Sequence, residues 1–142
     1  MSELDPKRTA LLVMDYQPGI LERVDDPDAL AAKARAAIDT MRGAGATIGY
    51  VRVAFTEEEL EAMPETAGMA RVKAMPAGSM GADSPATQVD ERVAPADGDI
   101  VVRKVRVGAF GTTDLTSSCG RVASTPSCSS RTGRCAECRW RR

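Results

Sequence analysis

The chain has 142 residues, 43% of them apolar, 27% charged and 4% aromatic, with a formal net charge of −1. That length supports one hydrophobic core rather than two, and no apolar stretch approaches the ~20 residues needed to span a bilayer. Histidine is absent, which excludes His-based triads, imidazole zinc ligands and imidazole pH switching and leaves acid–base work to carboxylates, lysines, tyrosines and thiols.

The charge is unevenly spread. Residues 116–142 hold six arginines against Glu137, so the preceding 115 residues bear a net −6. All four cysteines (Cys119, Cys128, Cys135 and Cys138) and the single tryptophan, Trp140, also fall in that tail. The N-terminus, Met1-Ser2-Glu3-Leu4-Asp5, lacks the basic-then-apolar pattern of a signal peptide, and a cytoplasmic protein is expected.

The first predicted element is the apolar run Ala10 to Met14, closed by Asp15. A short apolar run ending in polar residues reads as a strand buried on both faces, the mark of a parallel sheet covered by helices. In such sheets ligands bind at the carboxyl ends of the strands, so Asp15 stands where chemistry is usually done. Capping of the turn before Pro18-Gly19 is the alternative, and it stays open. Asp26-Pro27 then supplies a helix cap and first residue. Leu30, Ala34, Ile38 and Met41 follow at helical spacing until Gly43.

Ala46 to Phe55 reads as the second strand, completing a strand–helix–strand unit. Glu57 to Met63 is expected to form a helical turn. Ala67 to Gly81 has no clean period and reads as a covering loop, its Met69, Met75 and Met80 filling core gaps in preference to lining a pocket. Ser84-Pro85 opens a short helix holding Val89 and Val93, and Asp97-Gly98 is a turn. Asp99 to Lys104 is the third strand, again ending in charge, and Lys104 faces two readings: a partner for Asp15 in a site, or a structural ion pair. Gly108 to Leu115 reads as a loop with Thr113 or Asp114 ready to cap a helix. No helix is expected to follow, because Thr116 to Arg142 has no apolar period and a composition that cannot build a core.

The stretches Thr9-Ala10-Leu11-Leu12-Val13-Met14-Asp15-Tyr16-Gln17, Val102-Arg103-Lys104 and Gly108-Ala109-Phe110-Gly111-Thr112-Thr113-Asp114-Leu115, in that order, resemble the isochorismatase-like hydrolases. That family includes nicotinamidases, carbamoylsarcosine amidases and isochorismatases. The resemblance implies an α/β fold, a three-layer α/β/α arrangement with a parallel, Rossmann-like sheet, here incomplete at the C-terminus. It also implies Asp15 and Lys104 as catalytic residues beside a cysteine nucleophile, with Gln17 and Phe110 binding substrate. A cation near the thiol would raise its thiolate fraction, and backbone N–H groups would hold the oxyanion. The substrate class is a small amide, cleaved at C–N, or a vinyl ether, for which the cysteine is dispensable. The metal-binding members use histidines, so no metal and no cofactor are expected.

After Leu115 the pattern departs from the family, which continues with an amphipathic helix, an apolar strand and a Gly/Thr turn before the cysteine. The nucleophile is due near residues 136–139, where Cys135 and Cys138 stand without that turn, and their position is taken as chance. With synonymous codons chosen for Thr116 to Ser129, restoring one G ahead of them changes the reading to Asp-Glu-Gln-Leu-Arg-Ala-Arg-Gly-Val-Asp-Thr-Leu-Val-Leu. That is a charged helix end, a Gly turn and an apolar strand. A single-base frameshift near Leu115 is therefore expected, giving a family domain over residues 1–115 and a tail over 116–142 that is disordered or out of frame.

A zinc site in the tail is disfavoured because only one CxxC pair exists. The arginines support no specific nucleic-acid partner, only the non-specific attraction any basic segment shows. The expected partner is a small-molecule substrate, with no membrane; self-association into a homo-oligomer stays open. As written, the chain is expected to have little or no activity, its nucleophile and oxyanion turn being absent. A rival reading is a non-catalytic α/β fragment acting as a binding or dimerisation module. The enzyme reading, unlike the rival, requires Asp15 and Lys104 to meet in one pocket.

Overall fold

The computed structural model describes residues 5–106 and 108–122, apart from the side chains of 67–69 and 120–122. Asp5 caps a short 3-10 turn, its carboxylate accepting from the Lys7 N–H. Strand β1 (Ala10–Met14), strand β2 (Thr47–Val53) and strand β3 (Ile100–Lys104) form a parallel sheet in the order β1-β2-β3. Val13 lies opposite Tyr50, and Val53 opposite Lys104, so the three strands end at nearly the same level.

β1 is less covered than its apolar run implies. Val13 is buried, Leu11, Leu12 and Met14 are half-buried, and Ala10 is exposed. Its outer edge carries no partner strand among the described residues, which accounts for the difference.

A single-turn helix α1 (Pro18–Leu21) precedes helix α2 (Pro27–Gly43). The Asp26 carboxylate accepts from the Ala29 N–H at 3.0 Å, so the cap read from Asp26-Pro27 is present. The left-handed turn that releases the helix is made by Gly45, at φ 83°, two residues beyond Gly43. One face of α2 buries Ala31 and Ile38 against Val13, Ile48, Tyr50 and Val93. Arg42, near its end, pairs with Asp99 at the head of β3, fastening the helix to the sheet.

Helix α3 (Glu57–Glu61) opens with a capping box between Thr56 and Glu59. Helix α4 (Ala67–Lys73) stands where a loop is expected from the sequence; a Gly- and Ala-rich segment without an apolar stripe gives no periodic signal, yet alanine favours helix. The expected helix after Ser84 is instead two 3-10 turns, Pro85–Thr87 and Glu91–Val93, and the Ser84 side chain makes no capping bond.

Helix α5 (Leu115–Val122) corrects the expectation that no helix follows Leu115. Thr113 Oγ1 accepts from the Leu115 N–H at 3.2 Å. Leu115 is fully buried and, with Cys119, packs against Val51, Val102 and Ala109 on the sheet face opposite α2. That one side chain supplies the apolar anchor, which a search for a repeating period does not register. Helices thus cover both faces of the parallel sheet, a three-layer α/β/α arrangement. Cys128, Cys135, Cys138 and Trp140, and with them the expectations for the tail beyond Val122, lie outside the described residues. No helix among the described residues is long and apolar enough to cross a membrane.

Candidate active site

A cavity of about 1030 Å³ opens at the carboxyl ends of the strands. β1 delivers Asp15 to it, β2 delivers Val53, and β3 delivers Lys104. Lys104 Nζ donates to Asp15 Oδ2 at 2.9 Å. Only 7% of the Lys104 side chain is exposed, against 37% for Asp15, so the ammonium is deep and the carboxylate faces the cavity. The other carboxylate oxygen, Oδ1, is covered and has no hydrogen-bond partner among the described residues.

Asp15 is also the one non-glycine residue with positive φ among those described, at 63°. Its carbonyl accepts from the Gln17 N–H at 2.9 Å, closing a tight turn at the end of β1. The backbone makes this turn, while the side chain is directed to Lys104 and does not cap it. Aspartate tolerates the left-handed region better than most residues. A residual strain of about 1 kcal/mol at such a position is typical of functional sites.

Gln17 lines the same cavity but is almost fully buried. Its Nε2 donates to the carbonyls of Val53 (2.8 Å) and Thr87 (2.7 Å), and its Oε1 accepts from the Val53 N–H at 2.8 Å. The side chain therefore brackets β2 to the segment around Thr87. Arg52 adds to this floor by donating to the carbonyls of Ala82 and Thr87. Phe110 packs against the cluster under α5 and is not among the residues lining the cavity. The structure thus brings Asp15, Lys104 and Gln17 together and sets Phe110 aside.

The far wall comes from the segment after α4. Met75 and Met80 line the cavity rather than filling the core, a correction to their expected role; the Met69 side chain lies outside the described residues. The wall is pinned by Phe55, whose N–H donates to the Met80 carbonyl and whose carbonyl accepts from Ala82, each at 2.9 Å. Arg23, Arg71 and Arg106 also line the cavity. They come from three separate segments, and nothing in the sequence marks them as neighbours. Cys119 packs into the core from α5 and does not line the cavity. Among the described residues no group of three His, Cys, Asp or Glu side chains is placed to hold a metal ion.

The arrangement supplies a carboxylate able to accept a proton, a buried cation beside it, and a largely apolar chamber. The fold has counterparts among known proteins. The isochorismatase domain model matches residues 9–118. A cysteine hydrolase from Pseudomonas syringae pv. phaseolicola superposes with a TM-score of 0.69 at 20% identity, over 87% of this chain and 58% of that one. N-carbamoylsarcosine amidase from Thermoplasma acidophilum superposes with a TM-score of 0.59 at 27% identity, over 77% of this chain and 58% of the other. An isochorismatase family protein from Desulfovibrio vulgaris gives 0.66 at 18% identity, over 81% and 62%. The chain therefore spans about six-tenths of the length of these structures. No curated protein matches it significantly.

Proposed function

The chain belongs to the isochorismatase family of hydrolases, and from that premise we propose that Asp15 and Lys104 are the base and the cation of a hydrolytic site for a small amide or vinyl-ether substrate. The observation that most supports this is the 2.9 Å contact between the two residues at the strand ends, inside one cavity. An ion-paired carboxylate is equipped to accept a proton rather than give one. That favours cleavage of an amide C–N bond over protonation of a vinyl ether, as does the likeness to an N-carbamoylsarcosine amidase.

On the amide route a thiol loses its proton to Asp15 while its sulfur attacks the carbonyl carbon. The C–N bond then breaks, the proton passes to the leaving nitrogen, and water cleaves the thioester. Lys104 stabilises the thiolate. Cys119, packed in the core, is not placed to be that thiol, and the 142-residue chain is accordingly expected to turn over slowly. A frameshift near Leu115 is our account of the lack of a thiol among the described residues that line the cavity, with the domain proper covering residues 1–115.

The test is an assay of the chain and its Asp15→Ala variant on small amides and a vinyl ether. Weak turnover lost in the variant is the expected result. Turnover indifferent to Asp15→Ala would overturn the assignment of the base. No turnover at all, even from a frame-restored chain, would leave the binding or dimerisation module as the standing reading.

A further inference from the structure

We propose that two copies of this chain join through their β1 edges, antiparallel about Leu12, fusing their three-stranded sheets into one. The Asp15 N–H donates to the Val51 carbonyl at 2.9 Å, and the Thr9 carbonyl accepts from the Thr47 N–H at 3.1 Å. Backbone groups alternate in direction along a strand, so the odd-numbered residues of β1 serve β2. Ala10, Leu12 and Met14 therefore turn their N–H and C=O groups to the outer edge, where no strand meets them among the described residues. The two outer edges of the sheet differ in their guards. Natural sheet edges are blunted by charged side chains. β3 carries Arg103, which holds Glu59 and the Ala54 carbonyl. β1 is Ala-Leu-Leu-Val-Met and carries no charge at all.

Residues 1–4 and 123–142, the remainder of the sequence, contain no apolar run to match β1. A second copy does, because it presents the same edge. An antiparallel pair with Leu12 opposite Leu12 sets Ala10 opposite Met14, and every outward N–H then faces an outward C=O. A slip of the register along the strand leaves some of these groups unpaired, which favours this one. The relation is a two-fold axis, so the contact is self-complementary and closes after two copies. Leu12 and Met14, half-buried on the α5 face, then adjoin their counterparts. α5 leaves room for this, since it packs over Val51 and Val102, on β2 and β3. The pairing also brings the exposed basic head of each β1, Lys7-Arg8, beside the Asp15 end of the other. The seam is short beside a standard interface, so the dimer dissociates on dilution.

Sedimentation of the full chain over a range of concentrations, beside amide hydrogen exchange, tests the pairing. The mass is expected to rise from one copy to two. As it does, the amides of Ala10, Leu12 and Met14 should gain protection, while those of Leu11 and Val13 are protected throughout. Ala10→Lys alters an exposed side chain and brings two charges to each seam, so it should weaken the dimer about tenfold. Val101→Lys, at an exposed position on β3, should leave the dimer unchanged. The proposal would be overturned by a chain that stays single at every concentration, or by association without protection of the three amides. Growth beyond two copies, or a dimer lost in Val101→Lys and kept in Ala10→Lys, would overturn it equally.

Discussion

Asp15 is costly to the fold on two counts, a left-handed backbone and a covered oxygen without a partner. The ion pair with Lys104 holds this carboxylate at the cavity, and its two ends are unequal under mutation because Lys104 is buried and Asp15 is partly exposed. Lys104→Met replaces the ammonium with an unbranched apolar chain, and Asp15 keeps access to water in the cavity. Stability should stay within about 1 kcal/mol of the parent, while any turnover falls by about a hundredfold or more. Asp15→Asn should instead cost about 1–3 kcal/mol, because it leaves a buried cation facing a neutral amide; exposure of the carboxylate keeps the figure at the lower end. Urea unfolding beside turnover measurements separates these outcomes. A Lys104→Met variant that unfolds early yet turns over normally would make the pair structural. The pairing was legible because each residue closes an apolar run, and parallel strands bring such ends together. Gln17's role was not, since its partners are backbone groups of Val53 and Thr87, and Thr87 lies seventy positions away.

Among the elements, those with a cap and a period were readable in the chain: α2 from Asp26, and the three strands from their apolar runs. α4 and α5 escaped because one lacks a stripe and the other is anchored chiefly by Leu115. The tie between α3 and β3 was also invisible, being an ion pair between residues 44 apart in sequence. Glu59 accepts from both Arg103 amino groups and from the Thr56 N–H. The Arg103 guanidinium, and next the Thr56 N–H, hold the Glu59 carboxyl below its ordinary value. A carboxyl whose folded pKa is depressed stabilises the fold above the unfolded value of about 4.3, and that contribution disappears as pH falls through the folded value. Glu59→Gln should therefore cost about 1 kcal/mol at pH 7, limited by partial exposure. The gap to the parent should close below about pH 4. Urea titrations at neutral and acid pH test this, and a gap that is the same at both would refute it.

For the molecule as a whole, the sheet keeps one edge of β1 and one of β3 without a strand partner among the described residues. Parallel strands are normally covered on both faces and extended by neighbours, and an open edge invites association with other chains. The domain match ends at residue 118, close to where the composition turns to arginine, serine and cysteine. On the proposed frameshift, one lost base near the codon for Leu115 would account both for the change in composition and for the lack of a thiol among the described residues that line the cavity. Sequencing the gene from an independent source should show that restoring it opens a frame with a charged helix end, a glycine turn and an apolar strand. The product of that frame should exceed the 142-residue chain in turnover by about a hundredfold or more, the scale on which a positioned catalytic group acts, and should associate less at high concentration. An undisturbed frame encoding this tail, with no strand appearing on a shift, would remove the explanation. The assignment of Asp15 and Lys104 would survive that outcome, because it depends on the strand ends and not on the frame.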